Sequence, residues 1–241
     1  MNIGVIFAGG VGSRMHSKER PKQFLEMYKK PIIIHTIEHF EENEEIDAVV
    51  IACVEEWIPY LKKLLYKFRI EKVKKVVPGG RTGQLSIYNG LLAAKELAGN
   101  ERSIVLIHDG VRPLINSELL STNIASVVKY GSAITAGVVK ETIVVVDENM
   151  EVENVPSRKH SRMAKAPQSF WLEDIMQVHE RALADGEENS IDSCTLMKKY
   201  GKQLHMIDGP YENIKITTPD DFYTMRAILE AKENSQIYGL D

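Results

Sequence analysis

The chain has 241 residues, 44% of them hydrophobic, and a formal net charge of −4 from 30 Lys and Arg against 34 Asp and Glu. That length buries one sizeable core, and mixed charges with a small acidic surplus exclude a protein that coats nucleic acid, whose binding domain would be clearly basic. Cys53 and Cys194 have neither metal-ligand spacing nor the makings of a disulfide framework, and the residues after Met1 lack a basic leader or a membrane-length apolar run. A soluble, unprocessed, cytoplasmic protein with reduced thiols and no membrane contact is expected.

The first predicted element is an apolar strand, Ile3–Phe7. It runs into Ala8-Gly9-Gly10-Val11-Gly12-Ser13-Arg14-Met15 and then Arg20-Pro21-Lys22-Gln23-Phe24. Main-chain N–H groups in such a turn can converge on anionic oxygens with no Cβ in the way, and Arg14, Lys18, Arg20 and Lys22 against Glu19 add a local charge of +3. The pattern suits phosphate. It is not the phosphate loop of NTPases, which needs Gly-x-x-x-x-Gly-Lys-Ser/Thr. Nor is it the dinucleotide fingerprint, since Met15 stands where the third glycine belongs when counting from Gly10.

Short Val/Ile-rich runs bounded by turn residues then predict buried strands at Ala48–Cys53, Lys74–Val77, Ile104–His108 and Ala133–Val138. Apolar spacing of three to four predicts helices over Ile32–Phe40, Ile58–Phe68, Thr82–Leu97 and Ser117–Lys129. This alternation implies an α/β fold: a three-layer, Rossmann-like domain with a mostly parallel sheet, right-handed crossovers, and ligands at the carboxyl ends of the strands. The Gly9–Gly12 turn, Gly79-Gly80 and Asp109 each follow such a strand directly, so three distant pieces reach one rim.

After Val139 the alternation breaks. Thr142–Asp147 and Glu151–Val155 around the turn Asp147-Glu148-Asn149, followed by the basic run Arg158–Arg162, predict a protruding β-arm over about 140–165. A two-stranded ribbon is marginal alone in water, so the arm either docks on a second subunit or folds back on its own core. Helices at Leu172–Ala184 and Asp192–Lys199, strands near His205–Ile207 and Ile214–Ile216, and a helix opened by Pro219 with Asp220 and Asp221 in its first turn follow. A frayed polar tail, Glu233–Asp241, completes one domain over residues 1–241.

Ala8-Gly9-Gly10-x-Gly12-x-Arg14-Met15 with Pro21-Lys22-Gln23-Phe24 resembles the signature of the cytidylyltransferases that make CDP-alditols. That family includes the methylerythritol-phosphate enzyme of isoprenoid synthesis and the ribitol-5-phosphate enzyme of teichoic-acid and capsule synthesis. Gly79-Gly80, Ser86, His108–Pro113, Thr142, Arg158, Ala166–Phe170 and Asn213–Asp221 fall in the family's order. The resemblance implies a nucleotide-diphospho-sugar transferase fold, CTP as donor, an alditol phosphate as acceptor, Mg²⁺ as cofactor, and a homodimer whose subunits exchange the arm.

Such a reaction sends an already anionic phosphate oxygen against the α-phosphorus of CTP, so it needs cations and positioning more than a general base. By resemblance Arg14 and Lys22 stabilise the transition state, and Lys215 lies near the α-phosphate and the incoming substrate. Asp109 holds the metal with Glu212 assisting, while Phe7, Ala8, Gly9, Gly10, Gly12, Gly79, Gly80, Arg81, Ser86 and Asp109 surround the nucleotide. Thr142 and Arg158 reach the alditol phosphate from the neighbouring subunit. Arg112 has no assigned role, and His108 reads as a hydrogen-bonded structural residue.

Two positions depart from the erythritol pattern: Gly83 stands where those enzymes carry arginine, and Ala166 where they carry threonine. Pro31–Glu38 and Pro167–Phe170 resemble the ribitol branch, so ribitol 5-phosphate is the expected acceptor and methylerythritol 4-phosphate the alternative. A non-catalytic nucleotide-binding regulator would not need Arg14, Lys22, Asp109 and Lys215 together. A sugar-1-phosphate enzyme using another nucleotide would not need the arm with Thr142 and Arg158.

Overall fold

Strands of the centre alternate side chains between two faces, and both faces are buried, so the strands Ala48–Cys53 and Ile104–Asp109 have no exposed residue. A computed structural model describes residues 1–9 and 20–238. Its elements are β1 (Asn2–Ala8), β2 (Glu26–Met27), β3 (Lys30–Pro31), α1 (Ile32–Glu42), β4 (Ala48–Cys53), α2 (Ile58–Lys67), β5 (Val73–Pro78), α3 (Gly83–Ala98) and β6 (Ile104–Asp109). There follow α4 (Ser117–Tyr130), β7 (Ser132–Val138), β8 (Val145–Val146), β9 (Val152–Asn154), β10 (Arg162–Trp171), α5 (Leu172–Ala184), α6 (Ser193–Lys199), β11 (Met206–Asp208) and α7 (Pro219–Tyr238). Ile6, Ile51 and Leu106 face one layer, packing with Phe40, Leu61 and Leu120 from α1, α2 and α4. Val5, Val50 and Ile107 face the other, with Leu91, Ile175 and Met197 from α3, α5 and α6. Sequestering strands on both faces is what makes their sequences continuously apolar.

The central sheet has seven strands in the order β11-β7-β10-β6-β1-β4-β5. β1 pairs in parallel with β4 and β6, and β4 with β5, whereas β10 runs antiparallel to both β6 and β7. The fold is therefore the expected three-layer α/β architecture, with β10 an unexpected antiparallel strand in the middle of the sheet.

Four expectations are corrected. The segment Arg162–Trp171, read as a basic run followed by a motif, is a strand, because its buried half, Ala166–Phe170, pairs between β6 and β7 while Arg162–Ala164 is exposed. Ile214–Ile216 is not a strand: Ile216 N–H donates to Val111 O at 2.9 Å, so it bonds to the loop after β6 rather than to the sheet. The arm's paired strands are shorter than predicted, with Val145 opposite Asn154 and Val146 opposite Val152, because the exposed residues beyond find no partner strand. The tail from Glu233 continues α7 to Tyr238, the preceding Leu-Glu-Ala-Lys-Glu run being strong helix formers.

Within the arm, Asp147 Oδ1 accepts from the N–H groups of Asn149 and Glu151, both at 2.9 Å, which closes the tip. Val144, Val145, Val152 and Val155 on the arm stay exposed to between 39% and 65%. Among the described residues no helix is long and apolar enough to cross a membrane.

Candidate active site

The ends of β1, β4, β5 and β6 meet at one rim, and the packing there explains the glycines. Ser86, buried on the first turn of α3, accepts from Gly80 N–H at 3.0 Å and donates to Thr82 O at 2.9 Å. A Cβ on Gly9 would lie 2.7 Å from that hydroxyl, so only glycine lets the end of β1 approach the loop after β5. Thr82 caps α3 by accepting from Leu85 N–H at 3.1 Å, and Arg81 makes an ion pair with Glu188.

Lys22 opens a single helical turn whose next two residues are its anchors. Gln23 Nε2 donates to Ala8 O at 2.8 Å, and Phe24 stacks on Trp57 with ring centroids 5.1 Å apart. Both anchors are fully buried, so the lysine between Pro21 and Gln23 is delivered to the end of β1. Gln23, which stands in the motif without an assigned role, is a positioning residue.

Asp109 ends β6 with both carboxylate oxygens engaged. Arg112 Nε donates to Oδ2 at 2.7 Å and Lys215 Nζ to Oδ1 at 2.6 Å. Burial pushes this carboxyl upward, but Lys215 and Arg112 outweigh it and hold the group at about 2, ionised at any physiological pH. Arg112 also donates through Nη1 to Asn213 O at 3.2 Å, and Asn213 Nδ2 donates to Ala166 O at 2.6 Å. Arg112 and Asn213 thus lash the Lys215 loop to β6 and β10. Asp221 completes that loop by accepting from the N–H groups of Thr217 and Thr218 at 2.8 and 2.7 Å.

His108 is fully buried, with Nε2 3.1 Å from Arg112 O, and burial lowers it to about 4. A neutral imidazole in that setting supports the loop, as its sequence position suggested.

Two adjoining cavities open on the rim. One of about 370 Å³ is lined by Phe7, Ala8, Gly9, Lys22, Gly80, Arg81, Ser86, Asp109 and Lys215 among others. A second of about 310 Å³ is lined by Arg112, Ala164, Lys165, Ala166, Gln168, Asp192 and Ser193 among others. Phe7, Gly83, Asp109 and Lys215 line both. Gly83 and Ala166, the positions departing from the erythritol pattern, therefore sit on the second cavity, and a Cβ at Gly83 would meet open space.

Of the residues singled out from sequence, Phe7, Ala8, Gly9, Lys22, Gly80, Arg81, Ser86, Asp109 and Lys215 are brought together. Gly79 stands behind the wall, its N–H donating to Cys53 O at 2.7 Å. Gly10, Gly12 and Arg14 lie outside the described residues. Thr142 and Arg158 line neither cavity: Thr142 is exposed, and Arg158 Nη1 donates to Lys140 O at 3.0 Å, closing the base of the arm. Glu212 also lies outside both linings, near enough to Lys165 to favour that lysine's charge.

The donor set bears on a metal. Among the described residues no three His, Cys, Asp or Glu side chains cluster, so a fully protein-held ion is not provided for. One ionised carboxylate beside an open cavity does fit Mg²⁺, which keeps water and takes one or two carboxylates plus substrate phosphates. Each Asp109 oxygen accepts one bond in the structure and keeps a further acceptor site.

Residues 3–231 match the family model described as "IspD: 2-C-methyl-D-erythritol 4-phosphate cytidylyltransferase". The chain is 55% identical over 240 residues to the ribitol-5-phosphate cytidylyltransferase of Streptococcus agalactiae serotype III (strain NEM316), covering 100% of both chains. It is 36% identical over 229 residues to the 2-C-methyl-D-erythritol 4-phosphate cytidylyltransferase of Clostridium botulinum (strain 657 / Type Ba4), covering 95% of this chain and 97% of that one. The crystal structure of 4-diphosphocytidyl-2C-methyl-D-erythritol synthase from Anaerococcus prevotii DSM 20548 superposes with a TM-score of 0.83 at 28% identity, covering 95% and 96% of the two chains.

Proposed function

The chain belongs to the IspD family of cytidylyltransferases, and within it we propose that this enzyme transfers CMP from CTP to D-ribitol 5-phosphate, releasing CDP-ribitol and pyrophosphate. The observation that carries the reading is the pair of cavities joined at Lys215 and Asp109. A nucleotide in the first and an alditol phosphate in the second would meet where those two residues stand. A phosphate oxygen of the alditol phosphate attacks the α-phosphorus in line, the bond to the bridging oxygen breaks, and pyrophosphate leaves with its electron pair. The nucleophile carries its charge already, so no proton needs to be removed; Lys22, Arg14 and Lys215 oppose the crowding of negative charge.

Asp109 would hold Mg²⁺, which neutralises triphosphate charge when bound. The full-length relatives named for ribitol 5-phosphate support that acceptor over the erythritol one, and Gly83 and Ala166 on the second cavity are in keeping with it. The arm's exposed valines support docking on a second subunit, so that Thr142 and Arg158 serve a partner's acceptor site in a homodimer. We place the enzyme in the cytoplasm, supplying CDP-ribitol to surface polymers such as teichoic acid or capsule.

The test is pyrophosphate release from CTP and Mg²⁺ with ribitol 5-phosphate, methylerythritol 4-phosphate, glycerol 3-phosphate and xylulose 5-phosphate offered separately. Highest kcat/KM with ribitol 5-phosphate is the expected result. Preference for methylerythritol 4-phosphate would overturn the acceptor while leaving the family in place.

A further inference from the structure

In a regular strand successive side chains alternate between faces, so neighbours cannot line one cavity together. On β10, Ala164, Lys165 and Ala166 all line the second cavity, with Gln168 beyond them. The register explains how. Ala164 pairs with Ala136 of β7 and Gln168 with Ile134, which leaves Lys165, Ala166 and Pro167 opposite the single residue Thr135. Such a bulge re-aims side chains, and proline, with no N–H for a ladder, is tolerated there.

The residue re-aimed is a cation. Lys165 lays its stem over Gly137 of β7 so closely that a Cβ there would come within 2.8 Å of its Cε. Its ammonium donates to Tyr211 O at 3.1 Å, which uses one of three N–H groups. The cavity's other cations, Arg112 and Lys215, both donate to Asp109. Among the described residues Lys165 is in no ion pair; burial and nearby Arg112 oppose its charge, with Glu212 favouring it. The lining holds three cations, Arg112, Lys165 and Lys215, against Asp109 and Asp192, so removing Lys165 would abolish the positive surplus.

We propose that Lys165 is a substrate-binding residue, whose ammonium holds the phosphate of the alditol phosphate in the second cavity while an oxygen of that phosphate faces the nucleotide. This rests on the cytidylyl-transfer reading above. It assigns to β10 a contact that the glycine turn, Pro-Lys-Gln-Phe and the arm do not supply.

Lys165→Met keeps the stem over Gly137 and deletes the charge. Gly137→Ala keeps the charge but displaces the stem, because the three atoms nearest the new methyl all belong to that flexible side chain. Initial rates of pyrophosphate release are measured on the full chain with CTP and the alditol phosphate varied in turn. For Lys165→Met the KM for the alditol phosphate should rise about tenfold to a hundredfold, the loss expected for one charge-assisted hydrogen bond. KM for CTP should stay within about twofold and kcat fall much less than KM rises, because an interaction made equally in ground and transition state moves KM alone. Gly137→Ala should shift the same constant in the same direction by less. If both variants leave the acceptor KM unchanged, or if the loss falls equally on CTP, the assignment is overturned; should Lys165→Met fail to fold, Gly137→Ala decides. A wild type that turns over no alditol phosphate would overturn the functional reading and this one with it, a failure visible before any variant is made.

Discussion

Arg112→Met would test what holds the centre of the site. The guanidinium lies 2.7 Å from Asp109, with the two side chains only 13% and 8% exposed, and it also donates to Asn213 O. Asp109 sits at about 2 against an ordinary 3.8 because Lys215 and Arg112 together outweigh burial. Without Arg112, burial opposes Lys215 alone and the carboxyl rises, by as much as a return to its ordinary range. The linkage lost is about 2 kcal/mol, and the bond to Asn213 adds about 1 kcal/mol. About 3 kcal/mol in all agrees with the low end for removing one partner of a buried pair.

The pH dependence follows from the sign of the shift. A carboxyl whose folded pKa is depressed contributes stability that is present above its unfolded value and lost as pH falls through the folded one. The gap between wild type and variant should be about 3 kcal/mol at pH 7 and narrow by about 1 kcal/mol at pH 3, as Asp109 begins to protonate. Urea unfolding across that range, without nucleotide or divalent cation, measures it. A gap under about 1 kcal/mol at neutral pH, or one that does not narrow in acid, would refute the account.

Two further outcomes concern catalysis and assembly. Lys22→Ala and Arg14→Ala should each lower kcat by roughly 10²–10³ while leaving CTP affinity within a few-fold, since on the proposed reading both cations act on charge that develops in the transition state; near-normal turnover at saturating substrates would remove the residue from that role. Arg158→Ala should raise the KM for the alditol phosphate and spare CTP, and mixing Lys22→Ala chains with Arg158→Ala chains should restore part of the activity, because a mixed dimer holds one site with both defects and one with neither; mixed dimers seen by mass spectrometry with no recovery would mean that each arm serves its own subunit.

How much of this was readable in the sequence depended on how far apart the partners lie. β4 was predicted to the residue because Ala48–Cys53 is apolar throughout and needs no knowledge of what covers it. The rim followed from three turns that each come directly after a strand. β10 escapes a local reading because Arg162 and Lys165 flank only Met163 and Ala164, and Pro167 interrupts any ladder, so neither period two nor a continuous apolar run marks it. Its place between β6 and β7 is set by Phe170 and Ser169, buried against neighbours far away in the chain. Ile214–Ile216 misled for the complementary reason: alternation of Ile, Lys and Ile suits a strand, but Ile216 is buried against α7 and the loop after β6.

The same distinction separates the two cavities. The first is lined by Gly9, Gly80 and Lys22, which belong to glycine turns and a cationic run that a local pattern exposes. The second is assembled from a bulge in β10, the start of α6 and the loop before α7, and its polar groups are oriented across the chain: Gln168 donates to Asp192 Oδ2 at 3.0 Å and accepts from Cys194 N–H at 2.7 Å. On the proposed reading the acceptor meets the wall where Gly83, Lys165 and Ala166 stand. That wall is therefore the less legible in any local pattern, because Lys165 and Ala166 reach it only through the register of β10 against β7.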